Sequence, residues 1–199
     1  MGLRYLTAAS AACLVASLSA AGAGTSPVAD AAMKGDRARL RVLLQQKADV
    51  NAPQADGATA IEWAAYRNDL DMADLLIAEG ANVKLANRDG VTPLWLASEN
   101  GSARMIGKLI EAGADPNERQ PNGETPLMMA ARNGNLAALK FLLDHRANVN
   151  LKEDLRGTTA LMWAAEQISR QLVMPVLRGR EQRAPAVVGD LVDIGCGVQ

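Results

Sequence analysis

Histidine is the side chain that most readily supplies a base or a metal ligand near neutral pH, and this chain has a single one, His145. It falls in the last turn of an expected helix and reads as solvent-facing. Two carboxylate pairs, Asp69 with Asp71 and Glu62 with Glu99, have the residue types for acid–base work. On helices of this composition such residues read as solvated faces. Met128, Met129 and Met162 are soft donors of the kind copper takes. They sit at matched positions of a repeat, the pattern of adaptable packing. No Cys/His set has zinc spacing, and no Gly-x-x-x-x-Gly-Lys-Ser/Thr loop exists. The chemistry-bearing residues therefore predict no catalytic centre, no cofactor and no metal.

The elements that carry these residues recur. Gly57-Ala-Thr-Ala-Ile-Glu-Trp-Ala64, Gly90-Val-Thr-Pro-Leu-Trp-Leu-Ala97 and Gly123-Glu-Thr-Pro-Leu-Met-Met-Ala130 follow one another at 33 residues, and Gly157-Thr-Thr-Ala-Leu-Met-Trp-Ala164 comes one residue late. Between them a second phrase returns: Ala48-Asp-Val-Asn51, Ala81-Asn-Val-Lys84, Ala114-Asp-Pro-Asn117 and Ala147-Asn-Val-Asn150. A fixed period of this length specifies a stacked array. Such arrays make extended binding surfaces.

The copy from Asp89 to Arg119 shows the physics of one unit. Asp89-Gly90 is a turn, with glycine supplying positive φ. Thr92 is placed to cap a first helix whose first residue is Pro93. Leu94, Ala97 and Ser98 mark its buried face, and Gly101 ends it. Met105, Ile106, Leu109 and Ile110 form the apolar stripe of a second helix, closed by Gly113. Neither helix is long enough to stand alone in water. Stacking solves this: Leu43, Leu76, Leu109 and Leu142 form one column, and Ala64, Ala97, Ala130 and Ala164 another that lets helices approach closely. The first unit is cryptic. Gly24 lies one period before Gly57, and Ser26-Pro27-Val28 stands where later units have Thr-Pro-Leu.

These phrases resemble the ankyrin repeat, whose pattern runs Gly-x-Thr-Pro-Leu-His-x-Ala-Ala and later Leu-Leu-x-x-Gly-Ala-x-x-Asn. Gly90-x-Thr92-Pro93-Leu94, Gly123-x-Thr125-Pro126-Leu127 and Leu109-Ile110-x-x-Gly113-Ala114-x-x-Asn117 carry the likeness. It implies an all-α fold, an ankyrin-repeat solenoid of stacked helix-turn-helix units over residues 24–167. The units run about 24–56, 57–89, 90–122 and 123–156, with a partial one over 157–178. The family's histidine is replaced by Glu62, Trp95, Met128 and Met162, so its polar network is expected to give way to packing. Lys47 and Arg146 occupy closing-glycine positions, at about 1 kcal/mol or more each.

The resemblance also implies where a partner would touch: the turn tips and the ends of the first helices. At matching positions these are Tyr66, Arg67, Arg88, Val91, Glu99, Asn100, Arg119, Glu124, Arg132 and Asn133. Ala58, Asp89, Asn122 and Glu166 extend the same strip. Trp63 and Trp163 share one register, turned in ankyrins toward the inner face; together with Trp95 they are read equally as contact residues or core. Mixed charges and a formal net charge of −1 suit a folded protein and not nucleic acid. The resulting expectation is a non-catalytic, monomeric protein–protein interaction module acting as inhibitor, scaffold or protective partner. The alternatives are a fragment of a larger modular protein, or a secreted effector.

The two ends differ from the array. Arg4 is the only charged residue before Asp30, and an Ala/Leu/Ser/Val-rich run ends in Ala21-Gly22-Ala23. That is the layout of a signal peptide over 1–23, cleaved near Ala23, which places the mature protein in the periplasm or outside the cell with no stable membrane span. Cys13 leaves with the signal and Cys196 remains alone, so no internal disulfide is expected. At the other end Ile168 stands where Gly101 and Gly134 stand earlier, and Pro175 interrupts the expected second helix. Residues 179–199 follow no repeat grammar, as an irregular cap or a shifted reading frame would.

Overall fold

The computed structural model describes residues 26–169. Among these there are helices and no strand. The first helices of successive units are α1 (Pro27–Lys34), α3 (Ala60–Tyr66), α5 (Pro93–Glu99) and α7 (Pro126–Arg132). The second helices are α2 (Arg37–Gln45), α4 (Leu70–Ala78), α6 (Ala103–Glu111) and α8 (Leu136–Asp144). A ninth helix, α9, occupies residues 160–169. First helices pack on first helices (α1 on α3, α3 on α5, α5 on α7), and second on second (α4 on α6, α6 on α8).

Local chemistry sets the boundaries. Ser26, Thr92 and Thr125 each accept the backbone N–H three residues on, and proline follows each. Proline there loses no bond, since that N–H has no partner inside the helix. The second helices are capped the same way by Asp36, Asp69, Ser102 and Asn135. The predicted left-handed closures appear at Lys47 (φ 59°) and Arg146 (φ 67°). Asn68 (φ 52°) takes the same conformation at the register of Gly35 and Gly101. Asparagine tolerates it better than most residues.

The expected columns are the core. Leu76, Leu109, Leu142, Ala64, Ala97 and Ala130 are fully buried, and Leu43 and Ala164 are partly buried against them. Met128 and Met129 are buried as packing, whereas Met162, on α9, is exposed. His145 caps α8 and is half-buried: its ring stacks on Phe141 with centroids 4.2 Å apart. Sequence placed it in solvent because a helix end usually is; the neighbouring phenyl ring holds it down. Glu62 corrects two expectations. It is buried at 4% exposure, not solvated, and it keeps a polar bridge where packing was expected. Its carboxylate accepts from the Thr59 backbone N–H at 3.3 Å and from Asn87 Nδ2 at 2.6 Å.

The Ala-Asp/Asn-x-Asn phrase has a physical meaning. Asp49, Asn82, Asp115 and Asn148 each accept the N–H of the residue two positions on, closing an Asx turn. The asparagine that ends the phrase then bridges loops. Asn51 accepts from Asn82 N–H and donates to the Gly80 carbonyl, and Asn117 does the same with Asn148 and Arg146. A second bridge links the tips: Arg88 N–H to the Asp56 carbonyl, and Asp154 N–H to the Asn122 carbonyl.

Both bridges are missing between the same two loops. Lys84 replaces the bridging asparagine, and Pro121, lacking an N–H, stands at the register of Arg88 and Asp154. The loop layer thus falls into two blocks, 48–58 with 81–91 and 114–124 with 147–157. Thr92 Oγ1 donating to Glu118 ties one block to the other.

The late fourth copy is explained by Glu153. Its carboxylate accepts from the backbone N–H groups of Leu155, Arg156 and Thr158 and from the Thr158 hydroxyl, so the extra residue costs no lost bond. Helix α9 runs on through Ile168, where earlier units turn, as expected of a β-branched residue that resists left-handed backbone. The signal peptide over 1–23, both cysteines, the rest of the partial unit to 178 and the tail 179–199 lie outside the described residues.

Candidate functional site

The loop tips fold over the first helices, and the inner face lies between them. Its main feature is a cavity of about 340 Å³ bounded by α3, α5 and two loops. Its lining is Trp63, Tyr66, Leu96, Val91 and Ala58, with Asp56, Asn87 and Glu62 as the polar members. Tyr66 is 59% exposed and meets Trp63 edge-on, with ring centroids 5.7 Å apart. Gln54 accepts the Trp63 indole N–H at 2.6 Å, which fixes that ring. Burial pushes the Glu62 carboxyl up to about 7, and the nearby Asp56 and Asp89 add to the effect.

A second, more polar cavity of about 240 Å³ lies at the fourth loop, lined by Glu124, Arg132, Glu153, Leu155, Arg156 and Trp163 among others. Here Trp163 is buried. The guanidinium of Arg132 lies 5.3 Å from its ring centroid and that of Arg156 6.0 Å.

The other sequence-designated contact residues divide by what they already hold. Arg88, Glu99 and Arg119 are exposed; Arg119 pairs with Asp154 at 2.6 Å. Asn100 is exposed, but its amide donates to the carbonyls of Ala65 and Tyr66. Asn133 does the same to the Glu99 carbonyl, and Arg67 reaches the Met33 carbonyl at 3.4 Å. These three form a ladder in which each first helix caps the orphan carbonyls of the one before. Their 33-residue register was the signal for it. Trp95, at 9% exposure, belongs to the interior. Half-buried Trp63 and exposed Tyr66 are the aromatics that line the cavity. Asp56, Asn87, Glu62 and Leu96 are the cavity residues absent from the contact strip.

Asp69 and Asp71 both pair with Arg37, and Asp69 also caps α4. Among the described residues, no group of three or more His, Cys, Asp or Glu side chains is placed to hold a metal. No described helix is long and apolar enough to cross a membrane.

A stack of paired short helices with loop tips projecting over one face defines a repeat scaffold. The family model described as ankyrin repeats (3 copies) matches residues 28–120 and 94–181, and the chain belongs to the ankyrin-repeat family. No curated protein matches the sequence.

Proposed function

We propose that this chain is a non-catalytic binding protein that works outside the cytoplasm and inhibits, scaffolds or protects another folded protein. Ankyrin repeats form protein–protein interaction modules. The observation that carries the reading is the pairing of half-buried Trp63 with exposed Tyr66 beside an apolar cavity with acidic groups, because aromatic anchors in partly desolvated pockets dominate protein interfaces. The N-terminal layout supports export.

Photo-crosslinking tests the binding face. A crosslinker at Val91 of the full chain, expressed in its natural host, should trap a discrete protein. One at Val42, half exposed on the second-helix side, should not. Equal adducts at both, or none at Val91, would refute the assignment. Export is checked on the same material: N-terminal sequencing should begin at Gly24, and an intact Met1 in the cytoplasmic fraction would contradict it.

A further inference from the structure

We infer that the Trp63 cavity receives an arginine side chain of the protein partner; this rests on the inner-face reading above. The array itself supplies the comparison. Trp63 and Trp163 stand four residues after Thr59 and Thr159, at one register. Trp163 is covered by two guanidinium groups of its own chain, from Arg132 on the preceding first helix and Arg156 just before Gly157. At the corresponding positions in the chain stand Met33, seven residues after the cap Ser26, and Asp56, just before Gly57; of the two, Asp56 lines the cavity. The cations are thus replaced by a thioether and a carboxylate.

The Trp63 site keeps the aromatic surface, adds Tyr66 at right angles, and places acidic groups at the rim and floor. A guanidinium fits that combination better than an ammonium. It is flat, it is weakly hydrated, and it can stack on an indole while forking onto a carboxylate. Desolvated cation–π contact and an ion pair to Asp56 would act together. A neutral apolar side chain would leave the Asp56 carboxylate covered without a counter-charge, at a desolvation cost.

The test uses the full chain and Nα-acetyl-argininamide as the probe, followed by the NMR resonance of the Trp63 indole N–H, assigned with Trp63→Phe. A saturable shift is expected, with the uncharged isostere Nα-acetyl-citrullinamide at least about fivefold weaker. Asp56→Asn should weaken the probe by about threefold or more. Asp56→Arg, which copies the arrangement at Trp163, should abolish the shift while backbone resonances elsewhere stay in place. Equal binding of the citrulline analogue, or an unchanged titration in Asp56→Arg, would overturn the inference. Crosslinks at Val91 without probe binding would sink the arginine assignment alone. Probe binding without crosslinks would leave the arginine pocket standing and refute the partner face.

Discussion

Three glutamates make the stability of the array depend on pH in two opposite senses, and Asp69, held down by Arg37, adds to the acid side. Glu62 and Glu118 are pushed up to about 7, in both cases by burial first. Below the ordinary value of 4.5 they are neutral whether folded or unfolded. Between about 4.5 and 7 the folded chain holds protons that the unfolded chain releases, so stability falls as pH rises; above that window the loss is complete. Glu153 is held down at about 2, chiefly by backbone N–H donors, Thr158 first. Its contribution is present above about 4.5 and is lost as pH falls toward 2. The melting temperature should therefore peak near pH 5 and decline to either side. Glu62→Gln with Glu118→Gln should flatten the alkaline decline, and Glu153→Gln the acid one, measured by thermal unfolding across pH. A profile unchanged by the paired glutamine substitutions would show that these carboxyls are ionised in the fold. The buried carboxylate at Glu62 was only half legible. Thr59-x-x-Glu62 has capping-box spacing, but no local pattern announces that Asn87, in the next loop, will complete the site.

At the scale of the helix and the loop, most of the sequence reading follows from short-range rules that nothing distant overrides. Caps, first-position prolines and left-handed closures lie where residue type put them, because each satisfies a backbone group within a few residues. The Ala columns follow from period alone, and Ala97→Leu should cost about 1–3 kcal/mol by overpacking a fully buried position. Urea unfolding would measure it, and an unchanged midpoint would mean the helices can separate. Gly101 is more constrained: with φ at 67°, a Cβ there would come within 1.9 Å of Asn135 Nδ2. Gly101→Ala should therefore destabilise through strain as well as contact. Arg67, Asn100 and Asn133 are exposed where sequence put them, but their bonds to carbonyls of the preceding first helix were not legible, since exposed polar residues at helix ends look alike until the neighbouring carbonyls are in place. Lys84→Asn offers the reverse test. It should restore one loop bridge and raise stability by about 0.5–1.5 kcal/mol, the net worth of a hydrogen bond. Asn117→Lys should lose a similar amount.

In the molecule as a whole, stability is a sum over neighbours, so one weak junction matters more than its few lost bonds suggest. The helical layer is continuous, with α5 packed on both α3 and α7. The loop layer is not: Lys84 and Pro121 remove both recurring bridges between residues 81–91 and 114–124. What joins them there is the Thr92–Glu118 hydrogen bond and the Pro121 ring lying over Gly90. The bridged pairs hold each other by backbone-registered bonds, whereas this junction depends on a side chain that titrates. The loops should therefore move as two blocks over α5. Spin labels on the tips would show it in a Cys13→Ser, Cys196→Ser background. Distances for Asp56→Cys with Asp89→Cys, and for Asn122→Cys with Leu155→Cys, should be narrowly distributed. The distribution for Asp89→Cys with Asn122→Cys should be broad. Lys84→Asn should narrow it. Three equal widths would mean that apolar packing of the first helices alone fixes the loops, and that the missing bridges have no mechanical consequence.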